Sequence, residues 1–179
     1  MNRRPEGDEL PPVVSRSDWL AARAALLDKE KALTRAADAL AAERRRLPRE
    51  RIADDYRFET ERGSATLREL FAGRRQLIVY HHMLAKDDPA PCTGCAMVGD
   101  QIPHLAHLHA RDTTLVFVSR APIEQITAFR ERMGWSLPWV ASDDDFQADL
   151  GITDGFGVDV FLVDASRFVA LPRSLRIGR

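Results

Sequence analysis

Two cysteines separated by two residues, Cys92-Thr93-Gly94-Cys95, are the side chains of this 179-residue chain best suited to chemistry, and they are its only cysteines. The turn stands before a helix-compatible segment that runs to about Arg111. A thiol at a helix start meets unpaired backbone N–H groups and the positive end of the helix dipole, and both favour thiolate over thiol. Two thiols at this spacing can close a disulfide across one turn, so the pair can alternate between dithiol and disulfide. Cys92, nearer the helix start, is expected to be the attacking thiolate, and Cys95 the thiol that resolves the mixed disulfide.

Other residues could tune or wall such a site. His81 or His82, at the end of the preceding strand, could stabilise a thiolate as imidazolium, although a strand-end histidine simply hydrogen-bonded in place is an equal reading. Arg120 follows the second strand at the carboxyl edge where parallel α/β sheets gather their sites, and could sit near the thiolate or orient a peroxide; the alternative is an ordinary surface ion pair. Trp135 and Trp139 could wall an apolar pocket over the cysteines, against the commoner reading that they are core. A zinc site would draw on His81-His82 and on His104, His107 and His109 with the two thiols. The place of His104 and His107 a turn or more along the helix makes that geometry strained, so no metal and no cofactor is expected, and these helix histidines read as surface residues.

The elements that must position these residues follow from pattern. Residues 1–14 carry charges and Pro11-Pro12 without apolar periodicity and read as a flexible arm. Residues 15–47 form a long helix, started by Ser15 or Ser17 and stopped by Pro48. Its Trp19, Leu26, Leu33, Leu40 and Leu47 recur at a strict seven-residue step. The companion seam holds Lys29 and Glu43, which argues against zippering along the full length. Packing on its own domain is the favoured reading, with a homodimer through this helix as the alternative.

Residues 48–179 then give short strands and a capped helical turn over 66–71, followed by the apolar strand Leu77-Ile78-Val79-Tyr80. After the cysteine helix come a strand over 113–119, a helix from Pro122 to about Met133 ended by Gly134, a short helix after Asp143-Asp144-Asp145, and a hairpin turning at Asp164-Ala165-Ser166-Arg167. Strand, helix, strand implies parallel pairing by a right-handed crossover.

Composition narrows the partners. A formal charge of −1, from 26 basic and 27 acidic residues, gives no general attraction to nucleic acid or to an anionic membrane. The first residues lack the apolar run of a signal peptide, and no stretch is long and apolar enough to span a bilayer. A cytoplasmic location is the expectation, where a close cysteine pair is more often redox-active or metal-binding than structural.

The chain resembles the thioredoxin-like, peroxiredoxin-related bacterial family catalogued as domain of unknown function eight-nine-nine. The residues that carry the resemblance include Trp19-Leu20-Ala21-Ala22-Arg23, Tyr56-Arg57-Phe58, Gln76 to His81, Cys92-Thr93-Gly94-Cys95, Val118-Ser119-Arg120-Ala121-Pro122 and Arg132-Met133-Gly134-Trp135. The resemblance spans most of residues 15–146 and implies an α/β, thioredoxin-like fold with a long N-terminal helical extension. Thioredoxins place a cis-proline before the strand facing the active cysteines, and the sequence before Val158 offers none. Pro89-Ala90-Pro91-Cys92-Thr93-Gly94-Cys95 is also similar to the peroxiredoxin active-site loop, which implies a second assignment: Cys95 attacks a peroxide, becomes a sulfenic acid and condenses with Cys92.

The function expected is a thiol-disulfide oxidoreductase or thiol peroxidase cycling Cys92 and Cys95, served by an external thiol reductant. The rival is a non-catalytic thioredoxin-fold module for binding or assembly.

Overall fold

The computed structural model describes residues 10–170 with the exception of 54, 90, 143, 154, 165 and 166. The N-terminal residues of the arm, the middle of the 164–167 turn and the basic tail therefore lie outside the described residues. The chain divides into two units, one up to Arg46 and one from Leu47. Among the described residues the first unit is a single helix, α1 (Arg16–Arg46). Of the two serines, Ser15 caps it: its hydroxyl oxygen accepts from the Asp18 N–H at 3.2 Å, satisfying a donor the helix start leaves unpaired. No residue of α1 is buried, and the seven-residue row of Trp19, Leu26, Leu33 and Leu40 is exposed.

The second unit opens with β1 (Glu50–Arg51), β2 (Arg57–Thr60) and β3 (Gly63–Thr66). The turn expected at Gly63-Ser64 is thus already strand, with Gly63 supplying the positive φ of +108° at the hairpin corner; a side chain would resist that angle. Helix α2 (Leu67–Leu70) follows on a capping box, in which Thr66 and Glu69 exchange hydrogen bonds. The central run is β4 (Gln76–His81), α3 (Thr93–Asp100), α4 (Ala106–His109) and β5 (Thr113–Ser119). The single helix expected from the cysteines to Arg111 is two helices, because Pro103 has no N–H to continue the ladder and restricts the residue before it.

The chain continues through α5 (Ile123–Arg132), β6 (Trp139–Ser142), α6 (Asp144–Asp149), β7 (Gly157–Asp164) and β8 (Arg167–Ala170). Among the described residues the strands form one sheet, ordered β1-β8-β7-β4-β5-β6-β2-β3. β5 runs parallel to both β4 and β6, while β7 pairs antiparallel with β4 and β8 antiparallel with β7. This is the expected thioredoxin-like α/β fold. A strand leads to the cysteine helix, the crossover returns in a parallel strand, and an antiparallel hairpin closes the other side, with β6 added at the β5 flank.

Every residue of β5 is buried, as expected of a parallel strand covered on both faces. Alternation along β4 separates two cores. Leu77 and Val79 face Phe58, Phe71, Phe146 and Phe161. Tyr80 faces the other way, with Phe117, Trp139 and Cys95. No described helix is long and apolar enough to cross a membrane, and no peptide bond among the described residues is cis.

Candidate active site

Cys92 is the N-cap residue of α3. Its sulfur stands over the N–H groups of Gly94 and Cys95, looser than a full capping hydrogen bond but close enough to favour the thiolate. The Cys95 N–H is the largest influence, and together with Cys95 Sγ and the Gly94 N–H it outweighs partial burial and the opposing charge of Asp88, so the Cys92 pKa falls below the ordinary thiol value. Cys92 is partly exposed, and its sulfur lies 3.7 Å from where a Cβ on Gly94 would stand.

Cys95, one turn on, is buried. Burial pushes its thiol above the ordinary value, partly offset by the Tyr80 hydroxyl and the Met83 N–H. The two sulfurs also lie within reach of each other, and both thiols are free. The pair is therefore unequal: one sulfur accessible and acidic, the other sealed and protonated beneath it.

Two contributors escaped the sequence reading. Tyr80 is buried, and desolvation followed by the neighbouring Cys95 raises its pKa far above the ordinary phenol value, so it stays a neutral O–H donor. The signal for it was available, since Ile78, Tyr80 and His82 share one side of an alternating strand. Met83 contributes its backbone: its carbonyl accepts from the Cys92 N–H at 3.5 Å. No feature of sequence announces a backbone role of that kind.

The histidines divide. His81 points into the opposite core, stacks on Phe146, and places Nε2 3.0 Å from Asp159 Oδ2. The structure thus gives it a carboxylate, not a sulfur, as partner. His82 lies on the cysteine side inside a box of aromatic rings, with Trp139 nearest at 4.5 Å between centroids. Burial drives its pKa down to about 4 against the weaker opposing pull of the Met83 carbonyl, so the ring is neutral at neutral pH and cannot act as an imidazolium beside the thiols. His104, His107 and His109 are exposed, and the described residues contain no group of three or more side chains able to hold a metal ion.

Arg120 donates to the carbonyls of Ile152 at 3.0 Å and Thr153 at 3.4 Å. With Met83, Asp88 and Gln147 it lines a cavity of about 190 Å³ at the carboxyl edge of the sheet. Of the two charged residues, Asp88 is the one whose field reaches Cys92. Trp135 packs at the far end of α3: its Nε1 donates to Asp100 at 2.9 Å, and its ring fills the space where a Cβ on Gly99 would lie. It buttresses the cysteine helix rather than roofing the sulfurs. Trp139 is buried core and donates to Ser119 Oγ at 3.0 Å.

A family model described as "Bacterial protein of unknown function (DUF899)" matches residues 8–158. Comparison with curated proteins finds no match. Among solved structures, a cysteine-to-serine mutant of PrxQ from Xylella fastidiosa is similar at 14% identity and a TM-score of 0.49, over 73% of this chain and 87% of that one. A structure titled as a putative protein disulfide isomerase from Bacteroides thetaiotaomicron gives 22% identity and 0.45, over 69% and 77%. Apo Sco1 from Thermus thermophilus gives 17% and 0.40, over 71% and 83%. These overlaps are partial, and the fold assignment rests on the strand order and connections described above.

Proposed function

The chain belongs to this bacterial family of unknown function, and for it we propose a thiol-disulfide redox activity in which Cys92 attacks and Cys95 resolves. The observation that carries the reading is the inequality of the sulfurs: Cys92 is accessible and held toward thiolate by the start of α3, while Cys95 is buried within its reach. A thiolate is the nucleophile in exchange, so the more acidic and open sulfur acts first.

With a disulfide R–S–S–R′, the Cys92 thiolate forms a bond to one sulfur and R′S⁻ departs with the electron pair of the broken S–S bond. Cys95 then gives up its proton and attacks Cys92 Sγ, closing the internal disulfide and expelling RS⁻. Two electrons pass to the substrate, and the two protons of the dithiol end on the departing thiols. The Tyr80 O–H and the Met83 N–H stabilise the Cys95 thiolate during that second step, and again when an external thiol attacks Cys92 to regenerate the dithiol. With a peroxide, the same order gives a sulfenic acid on Cys92, which Cys95 converts to the disulfide with loss of water. The order opposite to this, with Cys95 attacking first, asks a buried, proton-retaining thiol to meet the substrate, and burial weighs against it.

The test is one equivalent of an aromatic disulfide added to the reduced protein, with release of its coloured thiol followed in time. The wild type is expected to release two equivalents per chain in two steps. Cys95→Ser should stop after one, holding a mixed disulfide on Cys92, and Cys92→Ser should lack the fast first release. A fast first release that survives in Cys92→Ser would reverse the assignment. No release from the wild type would leave the chain as a binding module with idle cysteines.

A further inference from the structure

Helix α1 carries an apolar row with no use in the redox reading. None of its residues is buried, and Trp19, Leu26, Leu33 and Leu40 stand exposed at a seven-residue step. A row of this extent on a soluble chain marks a contact surface. Leu33, inside the row, is its most exposed member at 72%. Neither glycine nor proline interrupts α1, so the row runs unbroken along a helix about 45 Å long at about 1.5 Å per residue.

Three residues after each member of the row stand Ala22, Lys29, Ala36 and Glu43, so row and seam take the a and d positions of a heptad. The charges in the seam decide the direction of a second copy. Two parallel copies in register set Lys29 against the partner's Lys29 and Glu43 against the partner's Glu43, which places like charges inside the contact. Reversing one copy sets every row residue against a seam residue instead. With the two-fold axis between Leu33 and Ala36, Leu33 packs on the partner's Ala36, Leu40 lies along the stem of the partner's Lys29, and Leu26 lies beside the partner's Glu43. Lys29 and the partner's Glu43 are then three residues apart along the axis, about 4.5 Å, and symmetry makes that ion pair twice. Arg23, level with the partner's basic last turn, is already paired with Glu30 of its own chain at 2.9 Å.

We propose that α1 is the contact surface for a second copy of this chain, paired antiparallel over residues 23–46 with Leu33 and Ala36 at its centre. The overlap reaches about three heptads, the length at which such a pattern carries a coiled coil. Lys29 and Glu43, which count against a parallel zipper along the whole helix, become the residues that set direction and register. The centre of the contact falls where the row is most exposed, and Trp19 lies outside the overlap. This inference is independent of the redox reading.

Sedimentation equilibrium of the reduced 179-residue chain should show concentration-dependent association to twice the chain mass of 20.1 kDa. Leu33→Lys, at an exposed position where the monomer fold is undisturbed, should raise the dissociation constant by about a hundredfold or more, because two leucines leave the contact. Lys29→Glu and Glu43→Lys should each weaken the dimer by about tenfold, through two like-charge pairs in place of two ion pairs. The double variant restores both pairs and should return to within about threefold of wild type. A monomer at every concentration, with the row covered by its own chain, overturns the proposal, as does an assembly larger than a dimer. A dimer indifferent to Leu33→Lys joins through another surface and overturns it too. A dimer that the single charge reversals leave unchanged, or that the double variant does not restore, is not paired in this direction and register, and the proposal falls.

Discussion

His82 offers a test of the cysteine-side core that does not depend on activity. Its ring is enclosed by Tyr80, Phe117, Phe129, Trp135 and Trp139, and burial lowers its pKa from 6.5 to about 4. The folded protein therefore resists a proton that the unfolded chain accepts. Between pH 6.5 and about 4 the unfolded state binds more protons, so stability is full above the upper value and falls as pH drops through the window. At about 1.4 kcal/mol for each tenfold, the whole interval amounts to about 3 kcal/mol, of which about 2 kcal/mol is already lost at pH 5. The measurement is urea unfolding of the wild type and His82→Phe at pH 7 and pH 5. The other ionisable groups are common to both proteins, so their contributions cancel in the difference. The wild type should lose about 2 kcal/mol more than the variant over this range. Parallel losses in the two proteins would mean that His82 accepts its proton without leaving the core, and the account of a sealed aromatic box would fall.

Two further outcomes follow from contacts at the ends of the cysteine helix. Tyr80→Phe removes the hydroxyl that faces Cys95 while keeping the ring in its packing. Resolution by Cys95 should slow by about tenfold, with the first attack unchanged, because a hydrogen bond to a charged group is worth about 1.5–3 kcal/mol; an equal slowing of both steps would place Tyr80 elsewhere in the mechanism. Gly99→Ala sets a Cβ 2.5 Å from the Trp135 ring, so the indole or α3 must move and its bond to Asp100 is strained. Thermal or urea unfolding should show a loss of about 1–3 kcal/mol, the range for overpacking a tight contact, and an unaffected stability would show that the Trp135 contact yields freely.

What was legible in the sequence is what local rules determine. The cysteine turn, the apolar runs of β4 and β5, the proline that opens α5 and Gly134 that ends it each announce themselves within a few residues. Pro103 was equally local, and its break in the cysteine helix follows from the same rules that ended α1 at Pro48. Other features lie in pairings that cross the chain. β2 finds β6 through Phe58 opposite Ser142, His81 finds Asp159, and Trp135 finds Asp100 and Gly99. No window of neighbouring residues contains both members of such a pair, so residue type alone left His81 and Trp135 beside the thiols.

The division between His81 and Tyr80 shows how much one alternation decides. They are adjacent in β4, so the pleat sends their side chains to opposite faces. Tyr80 goes to the face that α3 covers, where a neutral hydroxyl can serve a buried sulfur without carrying charge there. His81 goes to the other, where β7 supplies Asp159 and where Gly157, its neighbour across the β4–β7 ladder, leaves room for Ile152. A histidine sent to the sulfur side at this depth meets what His82 meets, an apolar box that keeps imidazole neutral. Thiolate stabilisation in this chain therefore falls to groups whose charge state burial cannot change: backbone N–H groups at the start of α3, the Met83 N–H, and a phenol that desolvation holds protonated. With those donors fixed, the difference between the two sulfurs comes from depth, and Cys92 is the shallower.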